Sequence, residues 1–376
     1  MRIAQVSPFL PSRAGGSVVY STNLALQLKK RGHDVEFYAA RTTAEDGVVL
    51  KDRDVSVHTS RALGVAFGVN PMAYVLPDLM KSDAEVIHAH SYIYATSNQA
   101  AIAARVRGRP FVLHMHGATY QGHGIADRRT SAALFLKEKV YDKTIGRWTI
   151  GCADAIAAVS AFDMAQCREA FDVSRDKLHL IPNAVDVEAF RPTNGGKDGP
   201  MTVTFVGRLE EWKGPHSFVE IARRVHAEVP EALFKVAGAG PMHGRLTAES
   251  RDLEGHIEFL GELSHGRIAE LLRETSVLVL PSFIEGLPTV CLEALACGIP
   301  VVASDTGGTS EIIREGETGY LCPSADLDRF SDRVICLLRD PELRKRFGRN
   351  GRALVEHQYS WTRVAEMTEK LYERLI

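Results

Sequence analysis

Short apolar, β-branched runs alternate with amphipathic stretches of helical length along almost the whole chain, and this constrains the fold more than any other feature. Strands separated each time by a helix lie parallel, and a parallel sheet needs helices on both faces. Two series are visible: 2–6, 34–38, 86–89, 110–115, 155–159 and 177–181, then 202–206, 233–237, 257–260, 277–280, 300–303 and 319–322. Each predicts a doubly wound half. Between them, FRPTNGGKDGP at 190–200 is rich in Gly and Pro and reads as a linker. The expected fold class is therefore α/β, with two Rossmann-like domains facing a central cleft. The first spans 1–187 and the second 188–360, and helices are expected at 343–356 and 361–376. The 376 residues suffice for two domains of ordinary size, each with its own core.

In an open parallel sheet, ligands bind beyond the carboxyl ends of the strands. The loops there carry the informative residues. In LPSFIEGLPTVCLEALACG, 280–298, a buried strand ends at Pro281-Ser282, Pro288 stands where a helix can begin, and Gly298 with Pro300 closes that helix. Glu285 and Glu293 bracket its start. The first-turn amides near Thr289 and Val290 suit an anion such as a diphosphate, and a carboxylate on either side suits the vicinal hydroxyls of a sugar. Together they point to a nucleotide-sugar. In TVTFVGRLEEWKGP, Arg208 and Lys213 fall after the first strand of the second half, where both cations face the same region. In the first half Gly15-Gly16 lie between strand and helix, allowing close backbone approach to a phosphate, although GxGxxG is absent.

Histidines cluster at two strand ends, His88-Ala-His90 and His114-Met-His116. Alternate strand residues share a face, so either pair has the spacing to chelate a metal, as in a metal-dependent hydrolase. No acidic ligand at helical spacing accompanies them and HExxH is absent. The DxD triplets Asp52-Arg-Asp54 and Asp326-Leu-Asp328 follow no apolar strand; they read as a solvated loop and a helix start.

The net charge of −2 excludes a broad basic field for nucleic acid, and 45% hydrophobic with 24% charged residues marks a globular chain. Six cysteines without a CxxC pair read as reduced thiols. With no leader pattern and no apolar run of spanning length, a cytoplasmic protein is expected, free or held at a membrane face. The stretch 128–148 interleaves six basic residues with Leu134, Phe135, Val140, Tyr141, Ile145 and Trp148. It has the pattern of a basic amphipathic helix on a membrane, but its Asp and Glu interrupt the charge and favour an ordinary helix with a solvated face.

The spacing Glu285-x7-Glu293, with the surrounding motifs, resembles the family-four retaining glycosyltransferases of the GT-B fold, the group 1 glycosyltransferases. The resemblance covers nearly the whole chain. It implies a metal-independent hexosyltransferase using a UDP- or GDP-linked sugar, with no cofactor. The acceptor would be a hydroxyl of a glycan or lipid-linked molecule, in cell-surface polysaccharide synthesis. It implies catalytic roles for Glu285, His116, Arg208 and Lys213. Donor contacts would come from Gly15, Gly16, Arg208, Lys213, Leu260, Glu285, Gly286, Leu287, Thr289, Val290 and Glu293, with no metal site. Acceptor contacts fall to His90 and Ser91, and the helix at 361–376 is expected to join the first domain. A nucleotide-sugar epimerase of the same architecture is the nearest alternative. Ile-Pro-Asn-Ala at 181–184, where the family usually has glycine, and Leu-Pro after Gly286 depart from the common pattern and bear on the sugar.

Overall fold

The computed structural model describes residues 1–10, 16–41, 55–66, 70–117, 135–192 and 200–376. It divides into two compact units, Met1–Asn183 with Trp361–Ile376, and Ala184–Ser360. The division falls a few residues before 187 because the second unit starts and ends on paired backbone: Val185 N donates to Tyr359 O at 2.9 Å. Phe190, placed in a linker by the sequence, is buried in the second unit, and Arg352 donates to its carbonyl. Residues 193–199 lie outside the described residues.

The first unit is built on a parallel sheet of β1 (Arg2–Phe9), β2 (Asp34–Arg41), β3 (Ser56–Arg61), β6 (Val86–His90), β7 (Phe111–Met115), β8 (Ala155–Ala158) and β9 (Leu178–Leu180), in the order β3-β2-β1-β6-β7-β8-β9. A small antiparallel ribbon, β4 (Val65–Ala66) with β5 (Asn70–Pro71), interrupts the chain before β6. Sequence reading missed β3, an edge strand whose side chains are only partly buried and which therefore shows no apolar run. The helices that matter for the site are α1 (Gly16–Lys30), α2 (Ala95–Arg107) and α3 (Ala161–Phe171). The second unit has a six-stranded parallel sheet of β10 (Thr202–Val206), β11 (Leu233–Ala237), β12 (Ile257–Gly261), β13 (Val277–Leu280), β14 (Val301–Ser304) and β15 (Gly319–Cys322), in the order β12-β11-β10-β13-β14-β15. It is flanked by α4 (Pro215–Glu228), α5 (His265–Glu274), α6 (Thr289–Ala296), α7 (Leu327–Arg339) and α8 (Pro341–Gln358), and α9 (Trp361–Glu373) returns to the first unit.

Both sheets reverse direction of growth once. In the first, the chain adds strands outward from β1 and then resumes on its other side with β6; in the second it does the same about β10, resuming with β13. Helices on opposite faces leave a crevice at such a reversal, at the strands' carboxyl ends. Each unit has its own core: Ala4, Val6, Ile87, Leu113 and Ile156 belong to the first, and Val203, Phe205, Phe234, Val279 and Phe330 to the second. Asp326 caps α7, its side chain accepting from Arg329 N at 3.0 Å, so that triplet is a helix start. Asp52 and Asp54 lie outside the described residues.

The strand-end loops of the second unit are packed backbone to backbone. A Cβ added at Gly238 (φ +142) would lie 1.8 Å from Gly207 O, just after β10, and one at Gly214 (φ +66) would lie 2.1 Å from Pro281 O. Gly238→Ala should therefore cost on the order of 3 kcal/mol from clash and strain, a fall of roughly 6–12 °C in the unfolding midpoint of this unit. Gly244→Ala, in a helix and where a Cβ meets nothing within 4 Å, should leave the midpoint unchanged or raise it slightly in the same calorimetric scans. Equal midpoints for the two variants would refute the packing argument.

The stretch 128–148 is not one helix where it is described. Lys137–Tyr141 forms a single wide turn and Ile145–Gly151 a separate helix. Asp142 breaks the run, held by the Tyr92 hydroxyl at 2.8 Å and Lys137 Nζ at 2.8 Å. Among the described residues no helix is long and apolar enough to cross a membrane.

Candidate active site

In the second unit the predicted residues gather at the β10/β13 reversal. Lys213 follows β10 in the short turn Glu211–Lys213, and Glu285 follows β13. Lys213 Nζ donates to Glu285 Oε1 at 2.7 Å. Glu285 is 6% exposed and Lys213 18%, so little water weakens this contact. The two loops are tied together beneath the pair, since Phe283 N donates to Trp212 O at 2.9 Å. Thr306 Oγ1 donates to Phe283 O at 3.0 Å and Gly308 N to Gly286 O at 2.8 Å, fixing the rest of the β13 loop.

Trp212 is the residue that sequence reasoning missed here. The Arg208 guanidinium lies 4.8 Å from its ring centroid and the Lys213 ammonium 4.5 Å, so one indole face system orders both cations. Its indole N–H donates to Glu210, which also accepts from Arg208 at 3.3 Å. Arg208 itself is exposed. An aromatic residue between two basic ones was the available signal.

Pro288 precedes α6, Thr289 is its exposed first residue and Val290 is half-buried. Leu287 is buried. Glu293 faces His265 Nε2 at 3.2 Å, and that bond, before the cost of burial, raises the His265 pKa. Cys291, fully buried on α6, lies close enough to Glu285, Lys213 and Glu293 to feel all three charges, but burial chiefly pushes its thiol up. Gathered here, then, are two cations, two carboxylates and a helix start. Leu260 stands apart on the edge strand β12, half-buried and two strands from β10.

In the first unit the β1/β6 reversal carries the histidines. Gly15 lies outside the described residues and Gly16 begins α1. His90 and His114 are register partners at the ends of β6 and β7, and with His88 they are fully buried. His114 and His116 stack with centroids 4.5 Å apart at 4°. Tyr20 of α1 sets its ring edge against His114 (4.7 Å) and His116 (5.0 Å) and lies 5.2 Å from Trp361 of α9. Burial lowers all four histidines, His88 and His116 to about 3, so the rings are neutral at physiological pH. Ser91 follows with φ +63, in the left-handed region, its N–H donating to His114 O at 2.7 Å.

Ring nitrogens of His88, His90 and His114 lie within 4.8 Å of one another, a spacing compatible with a metal. Both nitrogens of His90 are already engaged, with Gln5 Oε1 at 2.8 Å and His116 Nε2 at 3.1 Å, and His88 Nδ1 meets the Tyr372 hydroxyl at 2.5 Å. An ion ligated by His90 would have to displace one of its bonds. These bonds engage His88, His90 and His116 and leave the buried ring nitrogens of His114 outside the chain.

Residues 186–354 match the sequence model of "Glycosyl transferases group 1", and residues 14–189 that of "Glycosyltransferase Family 4". A glycogen synthase of Mycobacterium tuberculosis is 27% identical over 403 aligned positions, covering 99% of this chain and 94% of its own. Among solved structures, sucrose-phosphate synthase from Thermosynechococcus elongatus superposes with a TM-score of 0.78 at 22% identity, over 100% of this chain and 98% of that one. HepE from Anabaena in complex with UDP does so with a TM-score of 0.78 at 18% identity, over 100% of both chains.

Proposed function

The chain belongs to the group 1 glycosyl transferases and has their two-domain α/β GT-B fold, and from that premise we propose that it is a retaining, metal-independent hexosyltransferase using a nucleoside-diphosphate sugar. The observation that carries this reading is the Lys213–Glu285 contact at the β10/β13 reversal, beside Arg208 and the start of α6. Arg208, Lys213, the amides near Thr289 and Val290, and Gly16 serve the diphosphate. Glu293 serves the ribose, Leu260 and Leu287 the remainder of the nucleotide, and Glu285, Gly286 and His116 the transferred sugar. His90 and Ser91 serve the acceptor.

The reaction follows from this charge pattern. The bond from the sugar C1 to the β-phosphate oxygen breaks, with Arg208 and Lys213 stabilising the departing diphosphate. The acceptor hydroxyl attacks C1 from the same face, and its proton passes to the leaving phosphate oxygen. Glu285 stabilises the positive charge that grows on the ring, and both cations take the place a divalent ion would fill.

Thermal shift with UDP, GDP and ADP identifies the base, since a ligand at a hundred times its dissociation constant adds about 2.7 kcal/mol. Glycosyl transfer from the matching sugar should persist in EDTA. Full loss restored by manganese would refute metal independence, and complete interconversion of the nucleotide-sugar without acceptor would show an epimerase.

We propose a lipid-linked acceptor reached by peripheral membrane contact. Phe135, Leu136, Val140, Ile145 and Trp148 are exposed on the first unit, interleaved with exposed Lys139, Lys143 and Arg147. Apolar side chains among cations suit an anionic lipid surface. Sedimentation with anionic vesicles, lost in the double variant Ile145→Ser with Trp148→Ser, is the expected result; no sedimentation of the parent protein would refute it.

A further inference from the structure

Gln5 sits in the middle of β1, fully buried, where a strand covered on both faces ordinarily carries an apolar side chain. Its amide joins two histidines on the neighbouring strand to the last helix. Nε2 of Gln5 lies 3.0 Å from the Tyr372 hydroxyl and 3.4 Å from His88 Nδ1, while Oε1 lies 2.8 Å from His90 Nε2. The Tyr372 hydroxyl reaches His88 Nδ1 at 2.5 Å, and His90 Nδ1 meets His116 Nε2 at 3.1 Å.

The donors in this chain are mutually determined. In this orientation of the Gln5 amide its oxygen only accepts, so His90 carries its proton on Nε2 and donates to Gln5. In a neutral imidazole the other nitrogen is then a lone pair, so His90 Nδ1 accepts and His116 carries its proton on Nε2. His116 Nδ1 is left as an acceptor. At the other end, the Gln5 amide N–H and the Tyr372 O–H both converge on His88 Nδ1, which must accept, and His88 Nε2 holds its proton without a partner. Turning the Gln5 amide over would reverse every donor from His116 to His88. The direction is thus set at Gln5, with Tyr372 and the ring of Tyr20 holding the parts in place.

We propose that Gln5 and Tyr372 are positioning residues for His116: acting through His90, they fix its proton on Nε2 and present Nδ1 as the acceptor for a hydroxyl of the transferred sugar. This rests on the assignment of His116 to that sugar. It gives α9 a task in the reaction beyond packing, because Tyr372 supplies a hydroxyl to the chain of bonds that ends at His116.

The test is nitrogen–proton correlation spectroscopy of the histidine rings in the parent protein, Tyr372→Phe and Gln5→Leu, with released nucleoside diphosphate measured alongside. His116 in the parent should show a single form protonated on Nε2. Tyr372→Phe keeps the ring packing and removes only the hydroxyl. In it both His116 tautomers should appear, and kcat should fall on the order of tenfold with the donor KM unchanged, the scale seen when an orienting partner of a functional imidazole is removed. A parent His116 protonated on Nδ1, or one tautomer and full kcat in Tyr372→Phe, would overturn the proposal. Gln5→Leu is read in the same way, and the parent spectrum stands even if that variant fails to fold. Full kcat in His116→Ala would instead refute the assignment of His116 to the sugar, which the ring spectra do not depend on.

Discussion

Glu285→Gln should lower kcat about a hundredfold while UDP or GDP affinity holds or rises. The transferred ring gains positive charge only as the glycosidic bond breaks. If Glu285 serves that ring as proposed, its buried carboxylate acts more on the transition state than on the ground state, worth on the order of 3 kcal/mol. Glu285 is 6% exposed, so its charge is poorly screened. Its contact with Lys213 Nζ at 2.7 Å adds a second consequence. Without the carboxylate that ammonium loses a competitor and is freer for phosphate. Glu293→Gln should behave differently, weakening donor and free nucleoside diphosphate together, because the ribose does not react. Calorimetry and steady-state kinetics on both variants decide the matter; two variants that lose only binding would remove Glu285 from the chemistry.

Acid should unfold the first unit between about pH 5.5 and 3.5, driven by its histidines. His88, His90, His114 and His116 are lowered chiefly by burial, His88 and His116 to about 3, against about 6.5 in an unfolded chain. The sign follows from proton counts. As pH falls below about 6.5 the unfolded chain takes up as many as four protons that the folded unit refuses, so stability falls, by up to about 5 kcal/mol per pH unit. A domain stable by about 5–15 kcal/mol is exhausted within about one to three such units. Circular dichroism from pH 7 to 3 should show the transition, and His114→Leu should make it shallower by about one proton. A first unit still folded at about pH 3 would contradict the neutral cluster.

Much of the architecture was legible because it follows from local periodicity. The strands 202–206, 233–237, 277–280 and 319–322 have the limits read from the sequence, since each is an apolar run closed by Gly or Pro. Arg208, Lys213 and Glu285 could be singled out because strand-end loops in a parallel sheet are the places where ligands go, and Glu293 because it lies one turn into the helix that follows. What stayed hidden depends on contacts through space. Gln5 and Tyr372 are 367 positions apart and meet only because α9 returns to the first unit. The indole of Trp212 between the two cations is set by the turn at Glu211–Lys213, which no periodicity announces. The break at Asp142 arises from Tyr92, on a different element, so 128–148 looked continuous. For the histidine chain the hint was Gln5 itself, a lone amide within a buried strand.

Retention is the centre of the account, and it can be measured before any acceptor is known. Water taking the acceptor's place should hydrolyse the donor slowly. The sugar released from the α-linked nucleotide-sugar selected by thermal shift should appear first as the α-anomer in proton NMR spectra, with the β-anomer growing in only at the rate of spontaneous mutarotation. A β-anomer formed first would mean attack from the opposite face, and would contradict same-face transfer with the leaving phosphate as base.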